Sequence, residues 1–169
     1  MARWTPSPLS RQSRRIFQDT YHSDWLGDLA RRAGAEEPSA FIAYGWDECL
    51  RALDTVAEAL RDPDPDRDPC ELTGAGWIAE EALATSLYCF LLAPDEPLTV
   101  VRRGAWSSGD SDSIAALAGA FAGAWQGGRA WPADWVRAIE YHDRVRPLAA
   151  PWDSGAFGAS RPRGTRGSG

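Results

Sequence analysis

Apolar residues recur at three- and four-residue spacings along most of this chain, and that spacing predicts helices. The segment 23–32 opens with Ser23 as a candidate cap and ends before Gly34, a residue suited to a helix C-terminus. From Asp47 to Leu60 the apolar positions Leu50, Leu53, Val56, Ala57 and Leu60 share one face. Three prolines between Asp62 and Pro69 then break the helix. The segment 77–92 is apolar nearly all round, so it predicts a helix buried on several sides. A short helix is expected over 97–106, and another over 113–126. The next begins at Pro132, carries Trp135, Val136, Ile139 and Val145 on one face, and is expected to close at Pro147. No alternating run predicts a strand; Leu98 to Val101 comes nearest and is short. The expectation is an all-α domain over 21–150, between a poorly ordered N-terminus (1–20) and a disordered tail (151–169).

Composition narrows the function. A length of 169 residues suffices for one domain with its own core. The net charge of −6 and the pI of 4.9 argue against a nucleic-acid partner, since phosphate binding needs a basic face. All eighteen basic residues are Arg, which reads as a bias of the source. The three cysteines, Cys49, Cys70 and Cys89, form no zinc spacing, and their odd number without an N-terminal apolar leader fits a reducing cytoplasm. No apolar run is long enough to span a bilayer, so no membrane partner is expected. Nine Trp imply large aromatics in the core or lining a groove; core packing is the default for most, and a stacking platform for adenine is the alternative.

Candidate chemistry concentrates in Ser107-Ser108-Gly109-Asp110-Ser111-Asp112-Ser113. Asp110, Asp112 and Ser113 offer three hard oxygens on a short piece of backbone, a donor set suited to Mg²⁺, Ca²⁺ or Mn²⁺. The same residues also suit a helix N-terminus, where they satisfy free N–H groups and the dipole. On local pattern alone the cap is favoured by roughly two to one. Two features favour the cation. A cap needs one polar side chain, and six stand here around Gly109. The helix behind is built of Ala with Gly119 and Gly123, although each Gly costs roughly 1 kcal/mol relative to Ala. Close approach of a neighbouring helix or a ligand would explain that. A calcium EF-hand is excluded: counting Asp110 as position one, Ala115 stands at the required Gly and Phe121 at the required Glu.

The stretch Gly109-Asp110-Ser111-Asp112-Ser113, with the small-residue helix through Gly127, resembles the C-terminal metal motif of the ADP-ribosylglycohydrolases, of the dinitrogenase-reductase-activating glycohydrolase type. Gly76 to Ala84 with Leu87-Tyr88 resembles the helix before that motif, and Pro132 with Trp135 the segment after it. The resemblance covers about 45–148. It implies an all-α, multi-helix fold, a site for two Mg²⁺ (Mn²⁺ also serving), and hydrolysis that removes ADP-ribose from a modified acceptor. It implies Asp110, Asp112 and Ser113 as metal ligands, and Ser108 and Gly109 beside the substrate. Ser108 stands where the family's motif has a first Gly, and Ser111 and Ser113 stand where it has Thr.

The family's other metal motif, of the Thr-Asp-Asp-Thr kind, has no counterpart here; Asp19, Asp24 and Asp28 stand singly. The fold is therefore expected to be incomplete at its N-terminal side. The alternative expectation is a truncated, non-catalytic remnant with a metal half-site, or one half of a split enzyme that pairs with a separate N-terminal half. Asp62, Asp64, Asp66 and Asp68 read as a solvated acidic linker, His22 and His142 as surface or packing residues, and Glu80 and Glu81 as cap or surface residues in a helix's first turn.

Overall fold

The computed structural model describes Leu26, residues 28–127 and residues 131–153. Its elements are helices: α1 (Leu29–Arg32), α2 (Pro38–Ala59), α3 (Cys70–Thr73), α4 (Ala79–Leu92), α5 (Pro97–Ala105), α6 (Ser111–Gln126), α7 (Ala133–Ala138) and α8 (His142–Asp153). No strand occurs among the described residues, so the all-α expectation holds. Ser23, His22, Asp19, Asp24 and the expected N-terminal segment lie outside the described residues, as does the tail beyond Asp153.

The chain divides into two compact units, one ending at Ala130 and one beginning at Trp131. In the first, α4 is the hub and touches α2, α3, α5 and α6. Its all-round apolar sequence has that outcome: Ala82, Ala84, Thr85, Ser86, Tyr88 and Cys89 are all buried. Val56 of α2 meets Ala84 and Tyr88, all fully buried, with Leu72, Leu87 and Leu91 around them. Burying a side chain such as Val56 stabilises the fold by about 1.5–3 kcal/mol. Burial holds the Cys89 thiol in its neutral form, its pKa pushed up to about 12.

Helices α5 and α6 approach main chain to main chain. A Cβ at Gly104 would stand 2.8 Å from the Ala115 Cα, and one at Gly119 would stand 3.3 Å from the Val101 side chain. Close helix approach thus accounts for Ala115 and Gly119 of α6. Of the two places expected for tryptophan, core or groove, described side chains take the groove: Trp106 lines one, and Trp131 and Trp135 another. No Trp with a described side chain is buried; Trp106 is 85% exposed and Trp77 72%. Contacts this tight leave no room for an indole, so the core is built from Ala, Val, Ile and Tyr88.

Helix α2 begins at Pro38, nine residues before the expected Asp47. Pro38 occupies its first turn, where a missing N–H costs nothing. In the second unit, the single helix expected from Pro132 is divided in two. Ile139 is extended (φ −59°, ψ 128°) and Tyr141 lies at φ 60°, ending α7 and starting α8. Pro147 does not close α8, which runs on to Asp153. Its face there is exposed, so water can hydrate the carbonyl that the proline leaves without a donor. Trp131, Trp135, Val136, Ala138 and Ile139 line a pocket of about 470 Å³ in this unit.

Candidate metal half-site

Asp110 sits between α5 and α6 at the centre of an inverse γ-turn. Its φ of −73° and ψ of 69° match that turn, and the Ser111 N–H donates to the Gly109 carbonyl at 2.8 Å. The turn is clamped from below. Asp110 donates its N–H to the Ala75 carbonyl at 2.8 Å. A Cβ at Gly109 would fall within van der Waals contact of that carbonyl oxygen and stand 2.6 Å from its carbon, so only glycine fits. Ala75 is presented by two glycines with positive φ, Gly74 at 105° and Gly76 at 81°. Ile114, fully buried at the start of α6, fills the space over Gly76.

Asp110 occupies the N-cap position of α6, and its side chain makes no cap hydrogen bond. Its main-chain carbonyl accepts the Ile114 N–H at 3.0 Å, as any helix start requires. Its carboxylate is therefore not used by the helix. Asp112 lies in the first turn of α6 and is exposed. Its carboxyl is held below the ordinary value of 3.8, first by the hydrogen-bonding Asp110 carboxyl and then by the N–H groups of Ser113 and of Asp112 itself. Two carboxylates in such proximity repel when both are ionised, and a cation bound by both removes that repulsion. With the Ser113 hydroxyl, these donors fit Mg²⁺ or Mn²⁺ and do not match zinc's preference for nitrogen and sulfur. Among the described residues, no three His, Cys, Asp or Glu side chains gather into a ready-made cation cage.

Ser108, the expected substrate-side residue with Gly109, is exposed, and its N–H faces the Asp68 carboxylate at 3.3–3.4 Å. That contact corrects the reading of 62–68 as linker alone. Asp62, Asp64 and Asp66 are solvated, but Asp68 turns inward and also accepts from the Cys70 N–H at 3.0 Å. Burial raises the Asp68 pKa, yet the Ser108 and Cys70 hydrogen bonds outweigh it and leave the carboxyl below 3.8. Arg103 holds the same segment: its guanidinium donates to the Asp64 carbonyl at 2.9 Å, the Arg67 carbonyl at 2.6 Å, and the Pro65 carbonyl. A groove of about 600 Å³ runs past Asp68, Arg102, Arg103 and Trp106. His142 lies away from this turn in sequence and pairs with its neighbour Asp143 at 3.5 Å.

Ala75 and Arg103 escaped the reading of the sequence, and Asp68 was placed in a solvated linker. Only the two glycines around Ala75, just ahead of a helix, signal that a carbonyl is being presented there.

Comparison with known proteins decides the family: the ADP-ribosylglycohydrolase profile matches residues 16–163. The chain belongs to the ADP-ribosylglycohydrolase family. Among curated relatives, ADP-ribosylhydrolase ARH3 of Bos taurus is 35% identical over 86 residues, which cover 45% of this chain and 24% of that protein. The chain thus spans about a quarter of the length of the curated relative it matches. No solved structure matches it. In this ADP-ribosylglycohydrolase chain, Asp110, Asp112 and Ser113 fall within the profile match, as do the elements that clamp them.

Proposed function

We propose that Asp110, Asp112 and Ser113 supply one side of a divalent-metal site serving the hydrolysis of an ADP-ribosyl linkage. The observation that carries this reading is the Asp110 carboxylate: it stands at a helix N-cap without capping the helix, beside Asp112, on a backbone pinned to Ala75. Mg²⁺ or Mn²⁺ held there supplies Lewis-acid polarisation of a substrate oxygen or a water. The two carboxylates provide charge, Ser113 adds a neutral oxygen, and the α6 N-terminus favours negative charge beside it. Ser108 and Gly109 line the substrate side. The further ligands of a two-metal site come from outside the described residues. The substrate is an ADP-ribosylated protein or a small ADP-ribose conjugate, the subtype is that of the dinitrogenase-reductase-activating enzymes, and the compartment is a reducing cytoplasm.

Among the described residues no third His, Cys, Asp or Glu side chain joins Asp110 and Asp112, which favours a second reading, a half-site that binds a cation weakly without catalysis. Two measurements separate them. Calorimetric titration with Mn²⁺ should show binding that Asp112→Ala abolishes, and absence of binding to the unaltered chain sinks both readings. Release of free ADP-ribose from a mono-ADP-ribosylated protein, followed by chromatography, should occur with the first reading and not with the second.

A further inference from the structure

Helix α4 opens with two acids, Glu80 and Glu81, that the proposed metal site does not use. An acid in a first turn ordinarily serves its own helix through the dipole and the free N–H groups. Glu81 reaches elsewhere. Its Oε2 accepts the Gly76 N–H at 3.2 Å, five residues upstream. Its stem covers Gly74 so closely that a Cβ there would meet Glu81 Cγ at 2.6 Å and Cδ at 2.8 Å. One side chain therefore packs against the first glycine of the 74–76 turn and hydrogen-bonds the second. Between those glycines lies the Ala75 carbonyl that accepts the Asp110 N–H.

We infer that Glu81 is a positioning residue for Asp110, acting through the 74–76 turn. This rests on the proposed reading of Asp110 as a metal ligand. Glu81 anchors Gly76, the anchored turn aims the Ala75 carbonyl, and that carbonyl fixes the Asp110 backbone and hence its carboxylate. What matters in Glu81 is an acceptor oxygen at the right reach, not its charge.

The test compares the 169-residue chain with its Glu81→Gln, Glu81→Asp and Glu81→Ala variants, using Mn²⁺ binding followed by electron paramagnetic resonance. Glu81→Gln keeps an acceptor oxygen and should bind within about threefold of the parent, whereas Glu81→Asp and Glu81→Ala should bind about tenfold more weakly or worse. Binding at the parent's level by the Asp and Ala variants overturns the positioning role. So does a Gln variant as weak as the Ala variant, because charge would then be the operative property. If Glu81→Ala does not fold, the Gln and Asp variants decide alone. Amide exchange of the Asp110 N–H, measured without metal, should accelerate about tenfold in Glu81→Asp and stay unchanged in Glu81→Gln. Unchanged exchange in Glu81→Asp overturns the inference even if the parent binds no Mn²⁺, a result that separately removes the metal reading.

Discussion

Two acidic segments of this chain, 62–68 and 107–113, are alike in their alternating carboxylates and opposite in construction. Each places carboxylates at alternating positions near the start of a helix. In the first, Asp64 accepts the N–H groups of Asp66 and Arg67 and so closes a local turn, while Asp62 and Asp66 face water. In the second, the main chain is locked to a turn 35 residues upstream, through the Ala75 carbonyl and the absence of a side chain at Gly109. Carboxylates alone do not make a site. The second segment differs because main-chain atoms hold its backbone, whereas 62–68 hangs on the long side chain of Arg103.

The comparison breaks most sharply at Gly109. Gly109→Ala forces a Cβ against main-chain atoms that no rotamer change can move, and should cost about 3 kcal/mol or more in thermal or urea unfolding. A smaller effect is expected from Arg103→Ala. It removes three hydrogen bonds to the carbonyls of 64–67 and should cost about 2 kcal/mol. It should also open the 62–68 segment to limited proteolysis, and protection equal to the parent's would show that Arg103 does not tether it. The smallest effect belongs to Asp68→Ala, about 1 kcal/mol at neutral pH from the lost Ser108 and Cys70 contacts, against no measurable change for Asp66→Asn. The sign of its pH dependence follows from the lowered carboxyl pKa. Stability from Asp68 is present above the unfolded value of 3.8 and is lost as pH falls through the folded one. The gap between parent and Asp68→Ala melts should therefore hold constant from neutrality down to about pH 5 and close below about pH 4.

These contrasts also show what could be read in advance. The helices over 77–92, 97–106 and 113–126 were legible because their apolar spacing is continuous. The early start of α2 was hidden by Gly45, which interrupts the run that begins at Pro38. The ligand candidates were legible because they are neighbours in the chain and their donor chemistry is carried by side chains. Their support was not. A main-chain carbonyl has no sequence signature, so Ala75 is invisible as a partner, and the contacts of Arg103 with 64–67 and of Asp68 with Ser108 join residues that are 36 to 40 positions apart. The tryptophans were half legible. Their number suggested aromatics in the core or lining a groove, and only the contacts show that Trp106, Trp131 and Trp135 line grooves.

That helix contact has a consequence for precision. Gly104 and Ala115 meet through atoms that have no rotamers, so forming the contact gives up no side-chain entropy, and there is no alternative packing for it to relax into. The start of α6, which carries Asp112 and Ser113, takes its coordinates from the main chain of α5. A reference surface without moving parts does not blur with temperature as one built of long side chains does.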